Sequence, residues 1–310
     1  MNSQKSKNSM PQASVTSHLP VSTAQPTTFS VDSHFHVFEA GQSLAGARYT
    51  PPYAAPLRAW QAAAESVGVS HGVLVQTSFM GTDNRLLLAQ LAHHPDTLRG
   101  VSVLPPTATL ATLAPLQARG VRGIRLNLAG RSHDMRAWAS AAPLWDAILQ
   151  LRWHVELHTD AGALPDVMAA LPLALPLVVD HFGKPAQASP QDATVAALRQ
   201  RSRHGGTGRS ASLGQTMPNV HVKLSAAYRL ALGVKPQTLA RLWLEELGPQ
   251  ALLWGSDWPC TNHESEADYP ALHAALEDWL GQAPGVVEAV RSRNARRLYW
   301  DASLWNASVG

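Results

Sequence analysis

The sequence predicts an α/β fold, a closed (β/α)8 TIM barrel, from two observations. From residue 30 onward, short apolar runs alternate with longer amphipathic segments, and the runs are continuous and rich in β-branched residues, as in parallel strands buried on both faces. Eight such runs are present, the number of strands in a closed barrel of this type. An open doubly wound sheet is the alternative, but no glycine-rich dinucleotide fingerprint follows the first run.

The predicted elements follow in order along the chain. Strands are expected near 30–36, 72–78, 99–104, 121–128, 153–158, 176–181, 219–225 and 251–257. Helices are expected near 57–68, 84–94, 108–119, 136–151, 162–172, 190–203, 236–247, 270–281 and 285–298. Long loops are predicted at 37–56 and 204–218. We expect a single barrel domain over 30–310, preceded by a disordered leader over 1–29 that is rich in Ser, Thr, Gln and Pro.

Composition argues against several classes of protein. Of the 310 residues, 45% are hydrophobic and 15% charged, and the basic residues behind the net charge of +3 are scattered rather than gathered into a nucleic-acid patch. No apolar run approaches the roughly 18 residues of a membrane helix, and the leader has no secretory apolar stretch. The single cysteine, Cys260, allows no internal disulfide. We expect a cytoplasmic protein that binds neither nucleic acid nor membrane; its oligomeric state is not predicted.

Polar signatures stand at the ends of predicted strands that are far apart in the sequence. His34 and His36 end the first strand, His158 the fifth, His181 the sixth and Asp257 the eighth. In a closed parallel barrel, the carboxyl ends of all strands converge on one face. Imidazoles and a carboxylate that meet there would form a metal-type or an acid–base site. This convergence predicts an enzyme.

Side-chain alternation predicts which residues of these strands point into the barrel. Asp32 would lie on the same side of the first strand as His34. In the sixth strand, His181 would share the side of Val179, and Asp180 would face the other way and orient a neighbour.

Several segments resemble the amidohydrolase superfamily. They are Asp32–His36, Gln76–Asn84, Arg122–Asn127, Val179–Pro185, Val222–Ser225 and Trp254–Pro259. As a set they are most similar to its lactonase branch, over a stretch from about residue 30 to Tyr299. Two positions depart from that branch: His158 stands where pyrone dicarboxylate lactonases have Tyr, and Cys260 where many relatives have His.

The resemblance implies a hydrolase that opens a small anionic lactone, of the 2-pyrone-4,6-dicarboxylate type or a related one. It implies that Asp257 is the general base and that His34, His36 and His181 complete the catalytic set. A guanidinium fork suits a substrate carboxylate. The positions that the resemblance assigns to substrate binding are Arg125, Arg131, Arg229, Ser78 and Tyr49.

Two questions are left open by the sequence. The group that polarises the lactone carbonyl is either Zn2+ or another divalent metal on His34, His36, His158 and Asp257, or the histidines themselves in a metal-independent site. A lactone is already an activated ester, so a metal is not obligatory. The reaction class also has alternatives, namely a metal-dependent decarboxylase of the same superfamily and a barrel that binds an anionic metabolite without turning it over.

Overall fold

Eight parallel strands form one sheet in the computed structural model, which describes residues 29–204, 208–209, 216–281 and 284–301. The strands, in chain order, are β1 Val31–Phe35, β2 His71–Val75, β3 Leu98–Ser102, β4 Val121–Asn127, β5 His154–His158, β6 Leu177–Val179, β7 Gly208–Arg209, β8 Thr216–Met217, β9 Val220–Leu224 and β10 Leu252–Trp254. The sheet order is β1-β2-β3-β4-β5-β6-β9-β10, and every neighbouring pair is parallel. The predicted barrel is confirmed.

Residues that follow β10 close the barrel against β1. The amide of His36 donates to the Trp258 carbonyl over 2.8 Å, and the amide of Asp257 donates to the His34 carbonyl over 2.8 Å. Gly255 allows this close approach, because a Cβ at that position would lie 2.6 Å from the Cβ of His34. Closure thus places Asp257 beside the two histidines of β1.

Helices connect the strands and cover the outside of the barrel. They are α1 Leu57–Glu65, α2 Arg85–His93, α3 Leu110–Ala118, α4 Ala142–Gln150, α5 Leu164–Ala169, α6 Ala193–His204, α7 Pro236–Leu247, α8 Tyr269–Leu280, α9 Pro284–Glu288 and α10 Asn294–Tyr299. A proline lies in the first turn of α4, α5, α7 and α8. A backbone N–H at that position would have no acceptor within the helix, so the proline costs no helical hydrogen bond. The helix predicted near 285–298 is divided by a π-helical turn over Ala289–Arg293. Within the described ranges, no helix combines the length and apolar character needed to cross a membrane.

The amino-terminal half of the barrel interior is mainly apolar, although it also holds the buried histidines His154 and His221. Its apolar side chains are Val31, Val73, Val75, Val101, Val178 and Leu253, which pack with Tyr299 at the end of α10. The Tyr299 ring also meets His154, at the start of β5, edge-on with ring centroids 5.4 Å apart. Branched side chains from several strands therefore fill this end of the barrel.

Asp32 does not lie on the side of His34, so this part of the alternation was wrongly predicted. The pairing of β1 with β2 shifts register between Asp32 and Phe35, and such a bulge changes the side to which the following residues point. The Asp32 carboxylate instead accepts hydrogen bonds from Trp60 Nε1 of α1, over 2.9 Å, and from the Tyr269 hydroxyl of α8, over 3.1 Å. Asp32 thus ties β1 to the helical layer.

One predicted loop contains strands, and the predicted leader lies almost wholly outside the described residues. Strands β7 and β8 pair antiparallel within the segment that was expected to be a loop over 204–218. The leader predicted over 1–29 lies outside the described residues except for Phe29, whose ring contacts His71 with centroids 3.9 Å apart.

Candidate active site

A cavity of about 740 Å³ opens at the carboxyl ends of the barrel strands. The site residues predicted from the sequence that line it are His36, Tyr49, Ser78, Arg125, His158, His181, Arg229 and Asp257. His34 is fully buried beneath its floor, and Arg131 is not among the lining residues. The barrel therefore brings together side chains from positions that span more than 200 residues of sequence.

Three ligand-type atoms meet at the floor of the cavity. His34 Nε2 lies 3.3 Å from His36 Nε2, and Asp257 Oδ1 lies 3.5 Å from the first and 3.4 Å from the second. His36 Nδ1 is 2.7 Å from the Val75 carbonyl oxygen, which can only accept a hydrogen bond. The proton of a neutral His36 is thus on Nδ1, and its Nε2 carries a lone pair directed at the other two atoms.

Asp257 is held as a carboxylate by its neighbours. Its Oδ2 accepts hydrogen bonds from the Tyr228 hydroxyl and from Arg229 Nε, both over 2.9 Å. Burial alone would raise the pKa of Asp257, but the charged Arg229 guanidinium helps to hold it well below its usual range. The backbone at Asp257 is left-handed, with φ of 61°, a conformation that costs energy and recurs at functional sites. Oδ1 remains directed toward the histidines.

His181 reaches the cavity because the chain turns sharply after β6. Its φ is 50° and that of Phe182 is 57°, so both residues are left-handed. His181 Nδ1 lies 2.9 Å from Ser225 Oγ, and Nε2 lies 3.8 Å from Asp257 Oδ1. Burial lowers the pKa of His181 to about 3, which keeps the imidazole neutral near pH 7.

Asp180 points into the barrel, which corrects the expectation that it would face away. Val178 points into the barrel and Val179 packs in the outer layer, so the alternation of side chains directs Asp180 into the barrel. The left-handed turn that follows directs His181 inward as well. Asp180 Oδ2 accepts from Arg125 Nε over 3.0 Å and from a terminal nitrogen of Arg125 over 2.8 Å. The carboxylate therefore fixes the orientation of a predicted substrate-binding arginine.

His158 lies between two cations rather than beside Asp257. Its Nδ1 is 3.3 Å from a terminal nitrogen of Arg125, and its Nε2 is 3.3 Å from Lys184 Nζ. Burial, and then the charges of its neighbours, lower the pKa of His158 well below its usual range. A neutral imidazole can accept from only one of these two donors. An anion in the cavity would satisfy the other.

The outer wall of the cavity carries an arginine that was not predicted. Arg48 lines the wall against Gly130, where a Cβ would lie 2.2 Å from a guanidinium nitrogen of Arg48 and where φ is +64°. Burial and then the charge of Arg131 lower the pKa of Arg48. Arg131, predicted to bind substrate, thus lies close to Arg48 without itself lining the cavity.

Besides Arg48, the charged and aromatic residues that line the cavity and were not predicted from the sequence include Lys184 and Tyr228. Lys184 belongs to a segment whose resemblance was noted, and it directly follows a left-handed turn, yet nothing in that segment indicates where its ammonium points. Tyr228 adjoins Arg229 and could have been found as the aromatic neighbour of a predicted site residue.

The donor set at the floor fits a divalent metal ion. His34 Nε2, His36 Nε2 and Asp257 Oδ1 are 3.3–3.5 Å apart, close to the roughly 3.3 Å between neighbouring ligands around a tetrahedral ion with bonds of about 2.0–2.1 Å. His181 also has a ligand atom within 4.8 Å of those of His34 and Asp257. His158 groups instead with Asp180 and His181, so the four predicted ligands do not form one cluster in the structure.

Comparison with known proteins places the chain among hydrolases. Residues 31–300 match the family model described as amidohydrolase. The chain is 30% identical over 293 residues to the 2-pyrone-4,6-dicarboxylate hydrolase of Comamonas testosteroni. The aligned residues cover 87% of this chain and 90% of that relative. The resemblance to the lactonase branch that was seen in the sequence is confirmed.

Solved structures give the same result. A Pseudomonas putida structure described as a candidate 2-pyrone-4,6-dicarboxylic acid hydrolase is similar with a TM-score of 0.73 and 38% identity, over 88% of this chain and 97% of that one. An Acinetobacter baumannii structure of the same description, with citric acid bound, is similar with a TM-score of 0.72 and 27% identity, over 87% and 98% of the two chains.

Proposed function

This chain belongs to the amidohydrolase family, and we propose that it is a hydrolase that opens a small lactone bearing carboxylate groups. The observation that carries the proposal is the pairing of two features in one cavity. An ionised Asp257 lies beside the neutral His181 on the floor, and a cationic wall formed by Arg48, Arg125 and Lys184 stands over them. The first feature suits hydrolysis of an ester, and the second suits an anionic substrate.

The names of similar proteins support this substrate class. The Comamonas testosteroni relative is named for a pyrone, a cyclic ester, that carries two carboxylates. The Acinetobacter baumannii structure holds citric acid, which is a polycarboxylate. Both are small anions of the kind that the cationic wall would attract.

The proposed general base is Asp257. Since Tyr228 and Arg229 occupy Oδ2, Oδ1 is the oxygen that can accept a proton from water in the cavity. The water oxygen forms a bond to the lactone carbonyl carbon as its proton passes to Oδ1. The ring C–O bond then breaks, and the proton on Asp257 returns to the leaving oxygen. Water is thus added across one C–O bond, and no redox partner is required.

The proposed donor to the carbonyl oxygen is His181. If the Ser225 hydroxyl donates to Nδ1, the single proton of the neutral imidazole is on Nε2, the nitrogen on the side of Asp257. From there it can donate a hydrogen bond to the oxyanion that develops in the transition state. His34 and His36 position Asp257 from below.

A divalent ion, if present, would be held by His34, His36 and Asp257, with His181 close by. When bound, such an ion acts as a Lewis acid toward a carbonyl oxygen. The neutral state of His34 and the ionised state of Asp257 are the protonation states that ligands require.

The proposed carboxylate anchors are Lys184 and Arg48, together with Arg125. Within the described part of the chain, neither Lys184 nor Arg48 forms an ion pair with a carboxylate, whereas Arg125 is already paired with Asp180. A substrate carboxylate near Lys184 would also relieve the contact of His158 with two donors. Arg229, which donates to Asp257 and to the Thr261 carbonyl, would serve mainly to hold the base.

A screen of lactones tests the proposal. Pyrone dicarboxylate, muconolactones and neutral aldonolactones would be offered with Zn2+ and after chelation, and ring opening and CO2 release would both be measured. We expect ring opening of the anionic lactones with all carbon retained, and a loss of about 10²–10⁴-fold in kcat for Asp257→Asn. Release of CO2 would identify the decarboxylase alternative. Binding of the anions without turnover of any would indicate a non-catalytic binder.

A further inference from the structure

A buried group of charges surrounds His34 beneath the cavity floor. The Lys223 side chain is fully buried, and its ammonium forms an ion pair with Glu156. Arg125 pairs with Asp180 in the same layer. The two cations and two carboxylates balance, so the charges need no counter-ion, and their function is to be sought in what they contact.

Three members of this group reach the same nitrogen of His34, and Glu156 Oε1, at 3.5 Å, is the most distant of them. Lys223 Nζ lies 3.1 Å from His34 Nδ1, and Asp180 Oδ1 also lies 3.1 Å from it. An ammonium can only donate a hydrogen bond, and a carboxylate can only accept one. A neutral imidazole, the form in which a histidine binds a metal ion, has a single N–H. Lys223 and Asp180 therefore favour opposite tautomers of His34.

The hydrogen-bond geometry favours Lys223. Its contact with His34 Nδ1 is a hydrogen bond, whereas Asp180 Oδ1 is a buried oxygen that has no hydrogen-bond partner among the described residues. With Nδ1 as acceptor, the proton of His34 is on Nε2. The lone pair of His36 Nε2 lies 3.3 Å away and accepts it, since His36 Nδ1 donates to the Val75 carbonyl. Every donor in this chain of contacts then has an acceptor.

The two tautomers give the floor different chemistry. When Lys223 donates, the Nε2–H of His34 occupies the space between His36 and Asp257, and a cation is excluded. When His34 donates to Asp180 instead, three bare atoms converge on that space at separations of 3.3–3.5 Å. We infer that Lys223 is a positioning residue that keeps the His34 proton on Nε2 and thereby weakens divalent-metal binding by the floor residues. This inference deepens the proposed function, because it assigns to one buried lysine the preference for a metal-independent site.

Two variants separate the effect of the Lys223 hydrogen bond to His34 from the effect of the buried charges. Lys223→Met alone would take from the buried Glu156 its nearest cation and leave it only the longer contact with Arg125, at 3.6 Å, which is destabilising. The test variant is therefore Lys223→Met combined with Glu156→Gln, which keeps the net charge. Glu156→Gln alone is the matched control, because it retains the ammonium beside His34 and leaves it the Asp180 carboxylate at 3.7 Å as a counter-charge.

The readouts do not depend on turnover. Zn2+ affinity would be measured by calorimetry on the full chain, and the tautomer of His34 by nitrogen NMR with labelled histidine. For the wild type and for Glu156→Gln we expect a bare Nδ1 and weak Zn2+ binding. For the double variant we expect a protonated Nδ1 and an affinity for Zn2+ that rises about tenfold or more, the equivalent of one hydrogen bond.

Either of two results would overturn the inference. One is a wild-type His34 with its proton on Nδ1, and the other is an unchanged Zn2+ affinity in a folded double variant. Failure of the proposed lactone hydrolysis would appear separately, as a lack of ring opening, with the tautomer and the affinity unaffected.

Discussion

The two ends of the barrel interior are built differently. At the amino-terminal end, valines from several strands pack with Tyr299. At the carboxyl end, the same strands present imidazoles, carboxylates and guanidinium groups. Of the eight non-glycine residues with positive φ in the described chain, seven lie in the loops after β6, β9 and β10.

The two ends of the barrel therefore contribute differently, one to the stability of the fold and the other to the chemistry of the site. Each left-handed non-glycine residue costs on the order of 1–3 kcal/mol, and such residues persist only where the surroundings hold them. The apolar end has one such residue among those described, Arg152 in the turn before β5, whereas the polar end places His181, Lys184 and Asp257 in strained backbone. Substitutions at the polar end should therefore change catalysis, and those at the apolar end should change stability.

Lys184→Met should have the largest effect among variants that leave the base intact. The loss of one charge-assisted hydrogen bond to a substrate carboxylate is worth about 1.5–3 kcal/mol, so KM for an anionic lactone should rise about 10–100-fold. Steady-state kinetics with an anionic and a neutral lactone measure this. Lys235→Met, at the start of α7, is the matched control. An equal rise in KM for the neutral lactone would show that Lys184 does not act through charge.

Arg229→Gln should change the pH dependence of turnover. Arg229 helps to keep the pKa of Asp257 well below its usual range, and His34 and His181 have pKa values of about 3. The base is then ionised and the two histidines are neutral at every pH well above these values, so none of these three groups should give wild-type kcat/KM an inflection near the ordinary histidine pKa of about 6.5.

Without the guanidinium, the pKa of Asp257 rises, and the acid limb of kcat/KM should move to higher pH. Activity should therefore fall more at pH 5 than at pH 8. A variant profile that keeps the wild-type acid limb and is lowered uniformly would show that Arg229 binds substrate and does not set the pKa of the base.

Much of this arrangement follows from sequence periodicity, and the remainder depends on long-range contacts. The eight strands were predicted because continuous apolar runs alternate with helical patterns, and barrel topology brings together the strand ends that carry His36, His181 and Asp257. The side on which Asp32 lies depends on a bulge set by pairing with β2, and the inward position of Asp180 was missed because Val179 was assigned to the wrong face. Local sequence carries neither signal.

The contacts of Lys223 illustrate the same limit. Its partners Glu156 and His34 are 67 and 189 residues away in the sequence. The alternation of β9 is compatible with an inward lysine, but only the closed barrel shows that the ammonium reaches an imidazole. A buried lysine in an apolar strand is therefore a cue to look for partners on other strands.

Tyr299→Phe should have the smallest effect, and it tests where the apolar end stops. The Tyr299 hydroxyl is buried and has no hydrogen-bond partner among the described residues, so its removal relieves a desolvated polar group and should stabilise the fold by about 1 kcal/mol. Tyr269→Phe is the matched contrast, because that hydroxyl donates to Asp32 over 3.1 Å and its loss should destabilise by a similar amount. Urea unfolding gives both values, with the slope of the transition as the check on two-state behaviour. An unchanged kcat/KM in Tyr299→Phe would place Tyr299 with the stabilising end, whereas a reduced kcat/KM would extend the catalytic end down to Glu156 and the residues beneath it.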